Sequence, residues 1–367
     1  MEGMELSLFS RDVIALSTAV ALSHNVFDGG LLLGLCDKIV PGLLIGALSF
    51  GHLPFAFVPA GPMPTGISNS EKQAIRQKFA AGEVGRKELL ESESRAYHSP
   101  GTCTFYGTAN SNQVMLEFMG LQLPGSSFVQ PGDMLRPLLT EAISQQVTAA
   151  SSAPLGERLG LGVQVDERAI LSAAIGLLAT GGSTSHTIHL LAMAAAAGIE
   201  LTWEDFADLS AIIPLVARVY PNGTADVNAF HDAGGTTYVM HTLIEHGLMF
   251  GDIPMLGGKT LAASLAVPQL GKGADQNAAP KLAWHSVPDV AGDNMILRPA
   301  NAPFQFEGGL KHMRGNLGEG VMKISAVKPE HRVVEAPALV FDHQDDMLKA
   351  YKDGKLERDF VAVVRFQ

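Results

Sequence analysis

Cysteine is nearly absent from this chain of 367 residues, occurring only at Cys36 and Cys103. Two thiols argue against a disulfide framework, and unpaired thiols fit a reducing, cytoplasmic setting. Positive charge is scarce as well. Lys and Arg number 26 against 37 Asp and Glu, a formal net charge of −11. Nucleic-acid binders need clustered Lys and Arg, so no nucleic-acid partner is expected. Long unbroken apolar runs are also missing. Residues 39–70 and 169–199 carry no Asp, Glu, Lys or Arg, but the first is broken by Pro41, Pro54, Pro59, Pro62 and Pro64, and the second by Gly181-Gly182-Ser183-Thr184-Ser185-His186. A spanning helix needs about 20 predominantly apolar residues with its backbone satisfied internally. Both stretches therefore read as buried core, and no membrane partner is expected. Met1-Glu2-Gly3-Met4-Glu5 lacks a basic n-region, so no signal peptide is read there.

What is present is material for a large core: 47% hydrophobic residues, 17% charged residues and 39 glycines. The fold class reads as α/β, with a parallel-sheet N-terminal domain and flanking helices over residues 1–285. The start of a β-rich second domain follows over residues 286–367. A helix over 4–24 is followed by a strand over 31–35, a helix over 41–50 and a strand over 55–58, the βαβ signature. Exposed helices start at Ser70-Glu71-Lys72 and Gly85-Arg86-Lys87, and a loop over 97–106 holds Cys103. Further helices are expected over 108–119, 135–147, 167–180 and 183–197, and in two pieces over 225–250. Periodicity leaves 212–219 open between strand and helix. Residues 267–294, rich in Gly, Pro, Asn and Ala, are the boundary candidate. Short β-like runs then follow at 295–297, 321–324, 333–334, 338–341 and 361–364. The first helix has almost no lead-in, and the last run is a core-type strand without visible neighbours. Both features lead us to expect a piece of a longer protein.

Cys36-Asp37-Lys38 falls where a strand ends and a helix begins, the place where open α/β sheets hold ligands. One reading is a buried structural thiol beside a surface Asp-Lys pair. The other is a soft thiolate beside a hard carboxylate; thiolate suits iron–sulfur, and carboxylate suits Mg²⁺ or Mn²⁺. Cys103 lies 103 − 36 = 67 residues away, so no local CxxC pattern decides the matter. Gly181-Gly182-Ser183-Thr184 before a helix fits an anion site or a plain Ser N-cap. His186 and His189 are spaced i, i+3, and a core or supporting role outweighs a metal pair. His24 and Asn25 near Asp28 are polar candidates, and the methionines read as core filler.

Several segments carry a resemblance. Asn25-Val26-Phe27-Asp28-Gly29, Gly34-Leu35-Cys36-Asp37-Lys38-Ile39-Val40-Pro41-Gly42, the stretch 101–110, Leu123-Pro124-Gly125-Ser126-Ser127 and Ala179-Thr180-Gly181-Gly182-Ser183-Thr184 resemble the dihydroxy-acid/6-phosphogluconate dehydratase family. Ser23-His24-Asn25, Phe105-Tyr106-Gly107-Thr108 and Tyr220-Pro221-Asn222-Gly223 are similar to its 6-phosphogluconate branch. The likeness covers essentially the whole chain. It implies a hydro-lyase that takes water from the small molecule 6-phospho-D-gluconate in the Entner–Doudoroff pathway. It also implies a [4Fe-4S] cluster, or [2Fe-2S] as in some relatives, with Cys36 and Cys103 matching two cluster cysteines. Asp37 and Lys38 match positions that hold a divalent ion, Mg²⁺ or Mn²⁺, the Lys as a carbamate. A homodimer is implied for the full-length form, and a β-barrel-like shape for the second domain that starts over 286–367.

The chain departs from the family in three ways. The family carries a further candidate cluster cysteine upstream, and a metal-binding glutamate and the proposed base serine downstream. Relatives often have Asn where Ser185 stands. No catalytic residue is therefore assigned within the chain, and the isolated chain is expected to be inactive. Two alternatives stay open: a related dihydroxy-acid or sugar-acid dehydratase, and a non-catalytic fragment.

Overall fold

Two glycines one helical turn apart decide how the chain begins to pack. Helix α1 (Phe9–Leu22) lies against α2 (Ile39–Leu48). A Cβ at Gly42 would meet the Arg11 carbonyl oxygen at 2.7 Å, and one at Gly46 would meet the Ala15 oxygen at 2.6 Å. Pro41 stands in the first turn of α2, where its missing N–H removes no helical bond. Strand β1 (Gly30–Leu32) precedes α2, and β2 (Phe55–Phe57) follows it. The strands pair in parallel from Gly30↔Phe55 to Leu32↔Phe57, so the expected βαβ unit is formed. This is a computed structural model, and it describes residues 6–154, 156–271 and 279–365.

Helices α3 (Asn69–Ala80) and α4 (Arg86–Ala96) follow, mostly exposed, with Ser68 capping α3 by accepting from the Glu71 N–H. Next come α5 (Thr108–Phe118), α6 (Leu135–Ser151), the short α7 (Leu161–Gln164), α8 (Glu167–Thr180) and α9 (His186–Ala196). The ends of α8 were legible in sequence because both are chemically marked. Asp166 accepts from the Ala169 N–H, and Gly181 closes the helix at φ 62°. Helix α5 packs on α8 through Gly176, where a Cβ would meet the Phe118 ring at 2.8 Å. Val114, Met115, Phe118, Leu177 and Leu178 are buried there. Burial of side chains this size contributes about 1.5–3 kcal/mol each.

Helices α10 (Trp203–Ile212), α11 (Val227–Asp232), α12 (Gly235–Glu245) and α13 (Leu261–Ser264) complete the helical part. Of the run 212–219, open between strand and helix, Ile212 ends α10 and the rest forms neither. It pairs only by single bridges, Leu215↔Gln305, Ala217↔Leu297 and Val219↔Ala225. The partners arrive from separate segments, so no continuous ladder builds. The 267–294 stretch, read as lacking periodicity, holds a hairpin of β3 (Val267–Gly271) and β4 (Lys281–His285). Pro268 within β3 and a Gly/Ala-rich surrounding masked the strand pattern. A second hairpin joins β5 (Lys311–Gly315) to β6 (Gly318–Met322).

The chain divides into two compact units, residues 1–326 and 327–367. Leu297 and Leu310 belong to the main core of the first. The second unit contains β7 (Ala338–Phe341), α14 (Gln344–Lys352) and β8 (Val361–Val364). The terminal strand was expected without neighbours, yet β8 pairs in parallel with β7 from Ala338↔Val361 to Phe341↔Val364. The intervening α14, capped by His343, was not anticipated because its exposed, charged sequence resembles a loop. The α/β class is as expected. Among the described residues the strands pair two by two and no closed barrel forms. No helix among them is long and apolar enough to cross a membrane.

Candidate functional site

The turn from β1 into α2 carries Cys36, Asp37 and Lys38. The Cys36 carbonyl opens α2 by accepting from the Ile39 N–H at 3.0 Å and the Val40 N–H at 3.4 Å. A third donor reaches it from α5, Asn112 Nδ2 at 3.2 Å. The neighbouring Gln113 Nε2 donates to the Gly34 carbonyl at 3.4 Å. Cys36 itself is exposed, so the reading as a buried structural thiol does not describe it.

The second thiol sits on a loop held from the same helix. Asn110 Nδ2 donates to the carbonyls of Cys103 and Phe105, both at 2.7 Å, and its Oδ1 accepts from Thr102 Oγ1 at 3.1 Å. Gly101 lies at φ +125°, and a Cβ there would come within 2.3 Å of the Met63 nitrogen. Only glycine lets the loop pass so close to 62–63. Asn110 and Asn112 thus tie both cysteine loops to the first turns of α5. The thiols lie near enough to interact: burial first, and then the Cys36 thiol, push the Cys103 thiol up.

Asp37 forms an ion pair with Lys38 and accepts from His189 Nε2 at 3.1 Å. Burial alone would push this carboxyl up. The hydrogen bonds from His189 and Lys38, with the charge of Lys38, bring it down to about 2. Donation to an ionised carboxylate places the proton of His189 on Nε2. Its buried Nδ1 then has no partner. One turn earlier, His186 Nε2 lies 2.9 Å from Ser111 Oγ, whose own proton goes to the Gly107 carbonyl. Burial pushes His186 down to about 3, so it is neutral. The two histidines therefore support Ser111 and Asp37 respectively.

Around them, Ser183 Oγ and Thr108 Oγ1 are 2.8 Å apart, and the Ser183 N–H donates to Ser111 Oγ at 3.3 Å. The residue before α9 is Ser185, without a side-chain cap bond, while the Ser183 hydroxyl accepts from the Ser185 N–H at 3.3 Å in the turn that leads into the helix. His24 and Asp28 are engaged elsewhere. His24 contacts the carbonyls of Val20 and Ala21, and Asp28 pairs with Arg158 at 3.1 Å.

Sequence reasoning missed the α5 polar residues. Asn110, Ser111, Asn112 and Gln113 are consecutive and all buried. The signal was available: four polar residues opening a helix that continues Val114-Met115-Leu116. Such groups must find partners inside. It also missed Glu117, which accepts from the backbone of Gly125 and Ser127 and from Thr236 Oγ1, and so anchors the Leu123–Ser127 loop.

The donor chemistry is mixed. Two thiols near enough for their charges to interact suit an iron–sulfur group, and the adjacent carboxylate suits a hard divalent ion. Among the described residues, no group of three or more His, Cys, Asp or Glu stands close enough to hold a metal ion. The thiols fit as two members of a larger ligand set.

Comparison with known proteins bears on this site. The family model described as dihydroxy-acid/6-phosphogluconate dehydratase N-terminal matches residues 1–264, and its C-terminal counterpart matches 295–367. The chain is 56% identical over 365 residues to a phosphogluconate dehydratase of Pseudomonas aeruginosa, and 52% identical over 366 residues to that of Escherichia coli (strain K12). It is 33% identical over 376 residues to a dihydroxy-acid dehydratase of a Nostoc species. In each case the whole chain is covered. It spans 59% of the length of the two phosphogluconate dehydratases and 62% of the third protein.

Proposed function

The chain belongs to the dihydroxy-acid/6-phosphogluconate dehydratase family, and from that premise we propose that it is part of a hydro-lyase acting on 6-phospho-D-gluconate. The product is 2-dehydro-3-deoxy-6-phosphogluconate, the committing step of the Entner–Doudoroff pathway. The observation that carries this reading is the whole-chain likeness to phosphogluconate dehydratases, closer than that to the dihydroxy-acid dehydratase.

In this reading Cys36 and Cys103 are two ligands of an iron–sulfur cluster, [4Fe-4S] or alternatively [2Fe-2S]. Asp37 and Lys38, the latter as a carbamate, hold Mg²⁺ or Mn²⁺. When bound, such groups supply Lewis acidity at the leaving 3-hydroxyl and positive charge beside the enolic oxygen. The chain's own residues prepare the place. Asn110 and Asn112 set the spacing of the thiol loops. His189 orients Asp37 and keeps it ionised. The base that takes the C2 proton is not assigned within these residues. We further propose a boundary between the α/β and C-terminal domains at 285–286, a cytoplasmic setting for the cluster, and a homodimer of the full-length enzyme.

The test compares the complete enzyme with the 367-residue chain. The complete enzyme is expected to turn over 6-phosphogluconate, and the chain alone to show no measurable dehydration. Turnover by the chain alone would refute the assignment of missing machinery. Turnover of dihydroxy-isovalerate but not 6-phosphogluconate would overturn the substrate.

A further inference from the structure

Lys323 is a half-buried cation without a counter-charge. Among the described residues its ammonium has no hydrogen-bond or ion-pair partner, whereas the exposed Lys311 pairs with Glu307 at 2.9 Å. Burial pushes its ammonium down to about 8 with no neighbouring carboxylate to offset the shift. Its place is tightly determined. Two residues on, Ser325 Oγ bonds Asn222 Oδ1 at 2.8 Å and the Gly309 carbonyl at 3.2 Å. Asn222 Nδ2 donates to the carbonyls of Thr180 and Gly181 at 3.2 and 3.1 Å. The segment is closely seated on the Gly181 turn: a Cβ at Gly181 would meet Asn222 Nδ2 at 2.3 Å and Ser325 Oγ at 2.8 Å.

This seating puts Lys323 near enough to His186 for the two charges to interact. His186 carries the Ser111 hydroxyl on one side, and Ser111 in turn meets the Ser183 N–H. His189, one turn along, holds Asp37. The cation therefore lies within electrostatic reach of the histidine pair behind the proposed site. A desolvated ammonium without a partner is costly, and an anion brought by a ligand relieves that cost. No carboxylate among the described residues serves.

We propose that Lys323 is a substrate-binding residue that pairs with an oxyanion of the sugar acid. The inference rests on the function proposed above. That substrate carries two oxyanions, a carboxylate and a phosphate, and the experiment separates them.

In the complete holoenzyme, KM and kcat for 6-phosphogluconate are measured in wild type, Lys323→Met and Lys323→Arg, with inhibition constants for inorganic phosphate and gluconate. Lys323→Met is expected to raise KM by about 10- to 100-fold, the worth of one charge-assisted hydrogen bond, with kcat little changed. Lys323→Arg, which keeps the charge, should recover most of the loss. Weaker inhibition by phosphate alone assigns the phosphate end, and weaker inhibition by gluconate alone assigns the carboxylate end. An unchanged KM in Lys323→Met overturns the proposal, as does a fall in kcat at constant KM. An Arg variant that folds but binds no better than Met also overturns it. A wild type that turns over no 6-phosphogluconate overturns the proposed function and this inference together. Normal wild-type turnover with an unaffected Met variant overturns this inference alone.

Discussion

The two cysteine loops reach the same place by different means. The Cys36 loop is held mainly by backbone: its carbonyl starts α2, and one side-chain bond from Asn112 is added. Its thiol is exposed. The Cys103 loop has no helix of its own to start. It is held by backbone bonds to other segments, Thr102 with Gly61 and Met63 and Thr104 with Val227, by the three bonds of Asn110, and by the close pass of Gly101 over 62–63. Its thiol is partly buried and pushed up. A loop at a helix start is placed by elements already folded for other reasons. The Cys103 loop is placed by bonds from several separate segments, and Asn110 alone supplies three of them.

The largest expected effect treats the loops alike. In the complete enzyme, Cys36→Ser or Cys103→Ser should abolish the brown iron–sulfur absorbance. A spectrum that survives either change would show that the thiol in question is no ligand. The next effect separates them. Asn110→Ala removes three part-buried bonds and leaves two carbonyls and a hydroxyl without that partner, so it should destabilise the chain by about 2–4 kcal/mol. Asn112→Ala removes one, and about 1 kcal/mol is expected. Urea unfolding of both variants checks the order, and equal losses would break the comparison.

A pH effect should be of intermediate size. His186 has its pKa depressed to about 3 by burial, below the 6.5 of an unperturbed His. Below about pH 6.5 the unfolded chain takes up a proton that the folded chain refuses, so stability falls as pH drops toward about 3. One such group contributes at most about 1.4 kcal/mol per pH unit. Urea midpoints at pH 7.5 and 5 should differ less in His186→Asn than in wild type. An unchanged difference would place the pH sensitivity elsewhere.

The smallest effect is kinetic. In the metal-free chain, iodoacetamide should modify Cys36 faster than Cys103, because Cys36 is exposed and burial disfavours the Cys103 thiolate. Peptide mapping at short times reads the ratio. Equal rates would mean that the two loops are equally open.

How much was legible varied with how each element is marked. Helix α8 was read to the residue because Asp166 and Gly181 stand at its ends. Helix α14 escaped because it is short, none of its residues is buried, and Asp345, Asp346, Lys349 and Lys352 give it the composition of a loop. The hairpin of β3 and β4 was hidden by Pro268 and the glycines around it. At the site, Cys36, Asp37, Lys38 and Cys103 were legible as chemistry. The residues that hold them were not, because a side chain's hydrogen-bond partner 76 positions away leaves no local trace.

The sequence by itself determined the α/β class, the helix ends that carry capping chemistry, and the residue types that suit soft and hard ligands. These follow from local sterics, periodicity and donor identity. Tertiary structure alone decided that Asn110 and Asn112 clamp two loops far apart in the chain, that His189 turns to Asp37, and that Lys323 is left without an anion. These depend on which surfaces close over which, and packing of the whole core sets that.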